Sequence, residues 1–345
     1  MKLNCSGLAF STVAAFAVLM SPAGAADQAL IDAARKEGSV TWYTTLIIDQ
    51  FARPAADAFQ KKYGVKVEYV RANSNEVALR MVNEAKAGKV LADVVDGTSI
   101  SLALKKEKLL MKWIPESASR FDKQFIDPEG YWVATNQYVL TPGFNTNLVP
   151  KGTEPKTFDD LLDPKWKGKM AWATIPVPSS APGFVGLTLK RLGEEKGMAY
   201  LRRMAAQNIV DVGFAAGRPL LDQVIAGEYQ IGLQIFNNHA VISAAQGAPS
   251  AWIPMQPVMS NYSVLSVTQG GPHPNAGKLM VDFLVSEDGM KLYQAADYIA
   301  IDPKAPPRDP ALRPDGDKLK AIYFTPEEIE LAMPRWVQTY KDIFR

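Results

Sequence analysis

Hydrophobic and polar positions alternate along this chain in two rhythms. Ser39-Val40-Thr41-Trp42-Tyr43 is a β-rich run that predicts a strand, with polar Thr44 and Thr45 directly after it. Phe51, Ala55, Phe59 and Tyr63 then recur at every fourth residue. That spacing predicts an amphipathic helix ended by Gly64, with Pro54 in its first turn. Val65 to Val70 predicts a second strand. Val77, Met81 and Ala85 form another helical stripe between Asn73-Ser74 and Gly88. Leu91 to Val95 reads as a buried strand, and Asp96-Gly97-Thr98-Ser99 opens the helix after it.

The same alternation returns downstream. Met170 to Thr174 predicts a short strand, followed by a turn-rich loop through Pro176, Pro178, Ser179, Ser180, Pro182 and Gly183. Helices are expected from Leu187 to Ala206, with a break near Gly197. Arg218-Pro219 starts a helix that Gly227 ends, Tyr229 to Phe236 is the next strand, and Asn237-Asn238 caps a helix to Gln246. Val133 to Phe144 and Met259 to Val267 are long extended stretches, suited to carrying the chain between two lobes. Residues 302–317 contain five prolines and are expected to be irregular. Thr325-Pro326-Glu327-Glu328 is a capping-box start, and Trp336, Tyr340 and Phe344 make a core stripe. Strand–helix alternation of this kind predicts an α/β fold with mostly parallel strands. The expected organisation is a first lobe of residues 26–140 plus about 262–300 and a second of 141–261. A C-terminal helical tail, residues 301–345, packs on one of them.

Residues 1–25 set the compartment. Lys2, the apolar stretch Leu8 to Met20 and Ala23-Gly24-Ala25 have the form of a secretory signal peptide, with cleavage expected before Ala26 and a periplasmic destination. Cleavage removes Cys5, the single cysteine, so neither disulfides nor thiol chemistry is expected in the mature chain. With 38 Lys+Arg against 36 Asp+Glu, the chain offers no basic excess for nucleic acid. No stretch beyond residue 25 approaches the roughly 18 apolar residues of a membrane span. At 47% hydrophobic and 21% charged residues the composition is that of a globular protein, expected as a monomer.

Catalytic signatures are absent: there is no Gly-x-Ser-x-Gly elbow, no phosphate-binding Gly-x-x-x-x-Gly-Lys loop and no His-Glu-x-x-His. Of the two histidines, His273 lies in Gly271-Pro272-His273-Pro274 and reads as a surface turn. His239 could serve a hydrolase only if folding brought it to Ser179 or Ser180. What stands out is polar residues directly after predicted strands: Thr44, Thr45, Thr98, Ser99, Ser179, Ser180, Asn237 and Asn238. In open α/β sheets ligands lie beyond the carboxyl ends of strands, where helix starts present free N–H groups. Helix capping alone explains any one of these residues; four separate strand ends together point to a ligand shell.

Four segments resemble the periplasmic solute-binding proteins of ABC importers, in the branch that includes ferric-ion-binding proteins. They are Val40 to Thr45 leading into Ala56 to Val67; Ala92-Asp93-Val94-Val95; Pro155 to Lys169 with its Trp166-Lys167-Gly168; and Asn275 to Ser286. The resemblance implies two α/β lobes, each a mixed, mostly parallel sheet flanked by helices, closing on a solute and delivering it to an inner-membrane permease. Ferric-binding relatives carry paired tyrosines after an Asn, and here those positions are His239 and Ala240. The first strand–helix loop, Thr44 to Ile48, also lacks a metal ligand. Ferric ion prefers anionic oxygen donors, so a ferric site is the alternative and neither metal nor cofactor is expected. Tyr138 and Tyr262 remain as possible phenolate donors. The favoured solute is a small organic anion. Arg218, between Gly217 and a helix, is expected to fork onto its acidic group, with Trp42, Tyr43 and Phe184 covering its body and core packing as the other reading of Trp42.

Overall fold

The computed structural model describes residues 27–345, so the signal-peptide segment and Cys5 lie outside the described residues. The chain runs through α1 (Gln28–Glu37), β1 (Ser39–Thr44), α2 (Arg53–Tyr63), β2 (Lys66–Arg71), α3 (Ser74–Lys86), β3 (Val94–Gly97) and α4 (Ser101–Lys106) into the long β4 (Val133–Asn145). There follow β5 (Met170–Trp172), α5 (Ala181–Leu192), α6 (Glu194–Ala205), β6 (Val210–Asp211), α7 (Arg218–Ala226), β7 (Ile231–Phe236), α8 (Asn237–Ala245) and β8 (Ser250–Trp252). The second long strand, β9 (Val258–Val267), leads to α9 (Pro274–Val285), α10 (Glu287–Ala295), β10 (Ile299–Ala300), β11 (Ala321–Phe324) and α11 (Pro326–Phe344).

Strand order is β2-β1-β3-β9-β4-β7-β5-β6. β1 lies parallel to β2 and β3, and β5 parallel to β6 and β7, while β4 and β9 pair antiparallel through the middle. Two large apolar cores result. One gathers residues from Ala34 to Ala134 and from Tyr262 to Ala305; the other gathers Leu140 to Met259 with Phe324 to Tyr340. β4 and β9 contribute to both, so the architecture is two α/β lobes sharing a pair of crossing strands.

Local chemistry explains the element ends. Gly38 and Gly64 end α1 and α2 in the left-handed conformation, at φ 77° and 74°, where a Cβ would be strained. Asn73 and Thr325 form capping boxes with Glu76 and Glu328. The break between α5 and α6 falls at Gly193, at φ 76°, and not near Gly197. Gly197 instead sits inside α6, where an added Cβ would lie 3.2 Å from the Leu189 Cα.

His273 does more than occupy a turn. The buried Asp93 carboxylate accepts from the Thr41 and His273 backbone N–H groups at 2.8 and 2.6 Å and faces the His273 Nδ1 at 3.0 Å. It thereby ties the start of α9 to the edge of β1 and β3. Sequence spacing could not show this, because Asp93 and His273 meet only through the fold.

The C-terminal segment is also more than a helical tail. β11 adds a strand parallel to β9, and α11 then bridges the lobes. Its Glu330 carboxylate accepts from the Leu102 and Ala103 N–H groups at the start of α4, each at 3.2 Å. Trp336 packs on Gly186 of α5, and Phe344 on Trp172 at 4.9 Å between centroids.

Candidate functional site

Strand direction places the site. β3 pairs antiparallel with β9 from Val94↔Val267 to Gly97↔Val264, so its carboxyl end runs toward the middle of the crossing pair. β7 runs along β4 from Ile231↔Phe144 to Phe236↔Leu140, also toward the middle, from the opposite side. The parallel strands beside each follow the same sense. The carboxyl ends of both lobes therefore face each other across a cleft floored by β4 and β9, the position where open α/β sheets bind ligands.

On the first lobe the edge is organised around Asp96. Its Oδ1 accepts from the Thr45 N–H and hydroxyl at 2.9 and 2.7 Å, and its Oδ2 from the Trp42 indole at 2.8 Å. Desolvation nonetheless dominates and pushes this buried carboxyl up. Thr44 accepts from Leu46 N–H at 3.1 Å, which shapes the loop. Arg71 stands at the end of β2, beside Thr44 in the strand register. Thr98 N–H donates to the Ser74 hydroxyl at 3.2 Å, joining two more strand ends; Ser99 follows, partly exposed. Tyr293 and Tyr298 pack over Phe51 near this edge. Burial, reinforced by Asp96, pushes the Tyr298 phenol up to about 12 and that of Tyr293 well above its usual value.

The floor is polar. Asn136, Tyr138, Asn261 and Ser263 stand together in the β4–β9 register, and the Asn136 Nδ2, Asn261 Oδ1 and Ser263 Oγ have no protein partner among the described residues. Tyr138 lies 5.3 Å from Phe236, which lies 5.0 Å from His239, so an aromatic row crosses from the floor to the second lobe. Burial and the nearby Arg218 charge push His239 down to about 4, leaving a neutral imidazole whose Nδ1 is buried without a partner. Of the helices that start on this side of the second lobe, α7 carries no side-chain cap, whereas in α5 the Ala181 N–H donates to the Ala173 carbonyl at 2.8 Å and in α8 the Asn238 N–H donates to the Asn237 Oδ1 at 2.7 Å.

Several expected site residues are used elsewhere. Tyr43 turns away, since alternate residues of a strand face opposite sides: its hydroxyl donates to Glu84 on α3 at 2.7 Å. Trp42 is core-packed against Phe51 while binding Asp96. Phe184 is buried between Trp172 and Phe158 in the second core. Ser180 donates to the Ile175 and Val177 carbonyls of its own loop, and Ser179 is buried beside it. Asn237 is the first residue of α8, not its cap; its amide holds the Leu312 carbonyl at 2.8 Å, and that of Asn238 reaches the Asp297 carbonyl at 3.0 Å. Arg218 donates through its Nε to the Asp222 Oδ1 at 2.8 Å, one turn along α7.

The pairing weighed for a hydrolase is not formed, and the two possible phenolate donors stand apart. Among the described residues no hydrogen bond joins His239 to Ser179 or Ser180. Tyr262 pairs with Gln137, one residue out of step with Tyr138, so the two phenols face opposite sides, and Tyr262 donates to the Gln124 carbonyl. Sequence reasoning passed over Arg71, Asp96, Phe236 and Tyr298. The rule that ligands lie at strand ends already pointed to Arg71 and Asp96; Tyr298 arrives only by tertiary folding.

Two lobes around a cleft between opposed strand ends define a protein of the periplasmic binding class. The model of the bacterial extracellular solute-binding protein family matches residues 54–317, and the chain belongs to that family. A putative 2-aminoethylphosphonate-binding periplasmic protein of Salmonella typhimurium is 26% identical over 262 residues, 73% of this chain and 71% of that one. Iron-bound HitA from Pseudomonas aeruginosa superposes with a TM-score of 0.71 at 20% identity, covering 88% of this chain and 99% of its own. AfuA from Actinobacillus pleuropneumoniae, with fructose-6-phosphate bound, gives 0.71 at 23% identity, covering 89% and 98%. The protein is the substrate-binding component of an ABC importer, and family members of this kind bind small molecules and work with ABC permeases. Among the described residues no helix is long and apolar enough to cross a membrane, and no three His, Cys, Asp or Glu side chains group as metal ligands.

Proposed function

We propose that the protein captures a small organic anion in the periplasm, by closure of its two lobes, and hands it to its permease. The observation that carries this reading is the set of free donors around the cleft: the uncapped start of α7, the unpartnered Asn136 amide of the floor and the guanidinium of Arg71. Solute contacting both lobes favours the closed form, so binding and closure are one equilibrium. Tyr138, His239, Thr98 and Ser99 are the candidate contacts retained from sequence, with Thr45 one layer behind through Asp96. The Salmonella relative named for 2-aminoethylphosphonate and the AfuA complex with fructose-6-phosphate support an anionic cargo. A ferric cargo is less well supported, because phenols held protonated by burial and by Asp96 are poor partners for a hard cation. The reading includes an N-terminal export signal cleaved before Ala26, lobes divided near residues 140 and 262, and a monomer with neither nucleic-acid partner nor catalytic turnover.

Calorimetry against a panel of phosphonates, sugar phosphates and hydroxy acids tests it, with the solute recovered afterwards. One-to-one binding and unchanged solute are expected. A chemically altered solute, or a stoichiometric visible absorption band on ferric loading with no anion bound, overturns the reading.

A further inference from the structure

Two guanidinium groups border the cleft, and they are not equivalent. Arg218 is paired with Asp222, its Nε 2.8 Å from the Oδ1. Arg71 is exposed and, among the described residues, has neither ion pair nor side-chain hydrogen bond, while its charge acts on both Tyr138 and Tyr298. It stands at a strand end beside Thr44, where Ala72 N–H donates to the Thr44 carbonyl at 3.1 Å and fixes the backbone. The carboxylates near the cleft already have donors: Asp96 accepts from three, and Asp222 accepts from the Arg218 Nε through its Oδ1. An ammonium group entering the cleft must therefore compete with those donors for a carboxylate. At the other end of the aromatic row the His239 Nδ1 is buried and unpartnered, a hydrogen-bonding position without formal charge.

Resting on the organic-anion reading above, we propose that Arg71 is the residue that reads the acidic group of the solute, and that the solute's other end is uncharged and polar, a hydroxyl or carbonyl taken by His239. The substrate class is thus a hydroxylated phosphonate, phosphate ester or carboxylate, in preference to an aminophosphonate zwitterion.

A matched pair of probes tests both halves: 2-hydroxyethylphosphonate and 2-aminoethylphosphonate, with fructose 6-phosphate and fructose beside them, titrated by calorimetry and melting shift. Wild type should bind the hydroxyl compound at least tenfold more tightly than the amine, and fructose 6-phosphate well above fructose. Arg71→Gln should weaken anion binding roughly 10- to 100-fold, the range for a lost charged hydrogen bond, at unchanged melting temperature without ligand. Arg71→Lys should restore part of the affinity, and Arg218→Gln should cost less than about threefold, as an exposed pair contributes little. Anion binding undiminished in Arg71→Gln overturns the assignment of Arg71 and leaves the organic-anion reading standing. Equal or tighter binding of the amine overturns the uncharged end. Failure of wild type to bind any anion of the panel overturns this inference together with the reading beneath it.

Discussion

Acidification probes how the second lobe is built at its cleft edge. Burial, assisted by the Arg218 charge and opposed by Asp222, holds the folded-state His239 imidazole at about 4, against 6.5 in the unfolded chain. Between those values the unfolded state binds more protons. Stability from this group is therefore fully present above about pH 6.5 and is lost as pH falls toward 4. Working from the two pKa values, the loss is roughly 2 kcal/mol at pH 5 and approaches about 3.4 kcal/mol below pH 4. Solvent at the partly exposed ring makes these upper values. His239→Gln removes the titration and keeps a neutral polar side chain. In urea unfolding at pH 7 and pH 5, wild type should lose up to about 2 kcal/mol more than the variant, because the other titrating groups are common to both. The imidazole proton resonances of His239, assigned by their loss in His239→Gln, give a second reading, titrating near 4 and unchanged in shift at pH 6. Parallel stability losses in the two proteins, or a His239 imidazole titrating near 6.5, refute the reasoning.

Asp96→Asn should cost about 2–4 kcal/mol, since an amide cannot accept on both sides and turns a donor toward Thr45 or Trp42. Denaturant titration checks it, and a loss below about 0.5 kcal/mol would show that the three bonds do not hold the edge together. Gly186→Ala places a Cβ 2.5 Å from the Trp336 ring and should cost about 1–3 kcal/mol by overpacking; an unchanged melting temperature would mean that α11 is not firmly seated on α5.

The residue pattern alone determined the two long crossing strands, the capping box at Thr325, the helix ending at Gly64 and the core stripe of Trp336 and Tyr340. Each depends on neighbours within a turn or on alternation along one strand, information that is local by nature. The absence of paired tyrosines at His239 and Ala240 was legible in the same way. Tertiary structure decided which polar residues are free to meet a solute. Thr45, Ser180, Asn237, Asn238 and Arg218 all have the right chemistry at the right strand ends, yet each already bonds a carboxylate or a carbonyl of the protein. A side chain's availability depends on partners up to hundreds of positions away, as with Asp93 and His273 or Glu330 and Ala103. Residue types reveal what a group can bind; only the packed chain shows whether it is already bound, which is why Arg71 emerged where Arg218 had been expected.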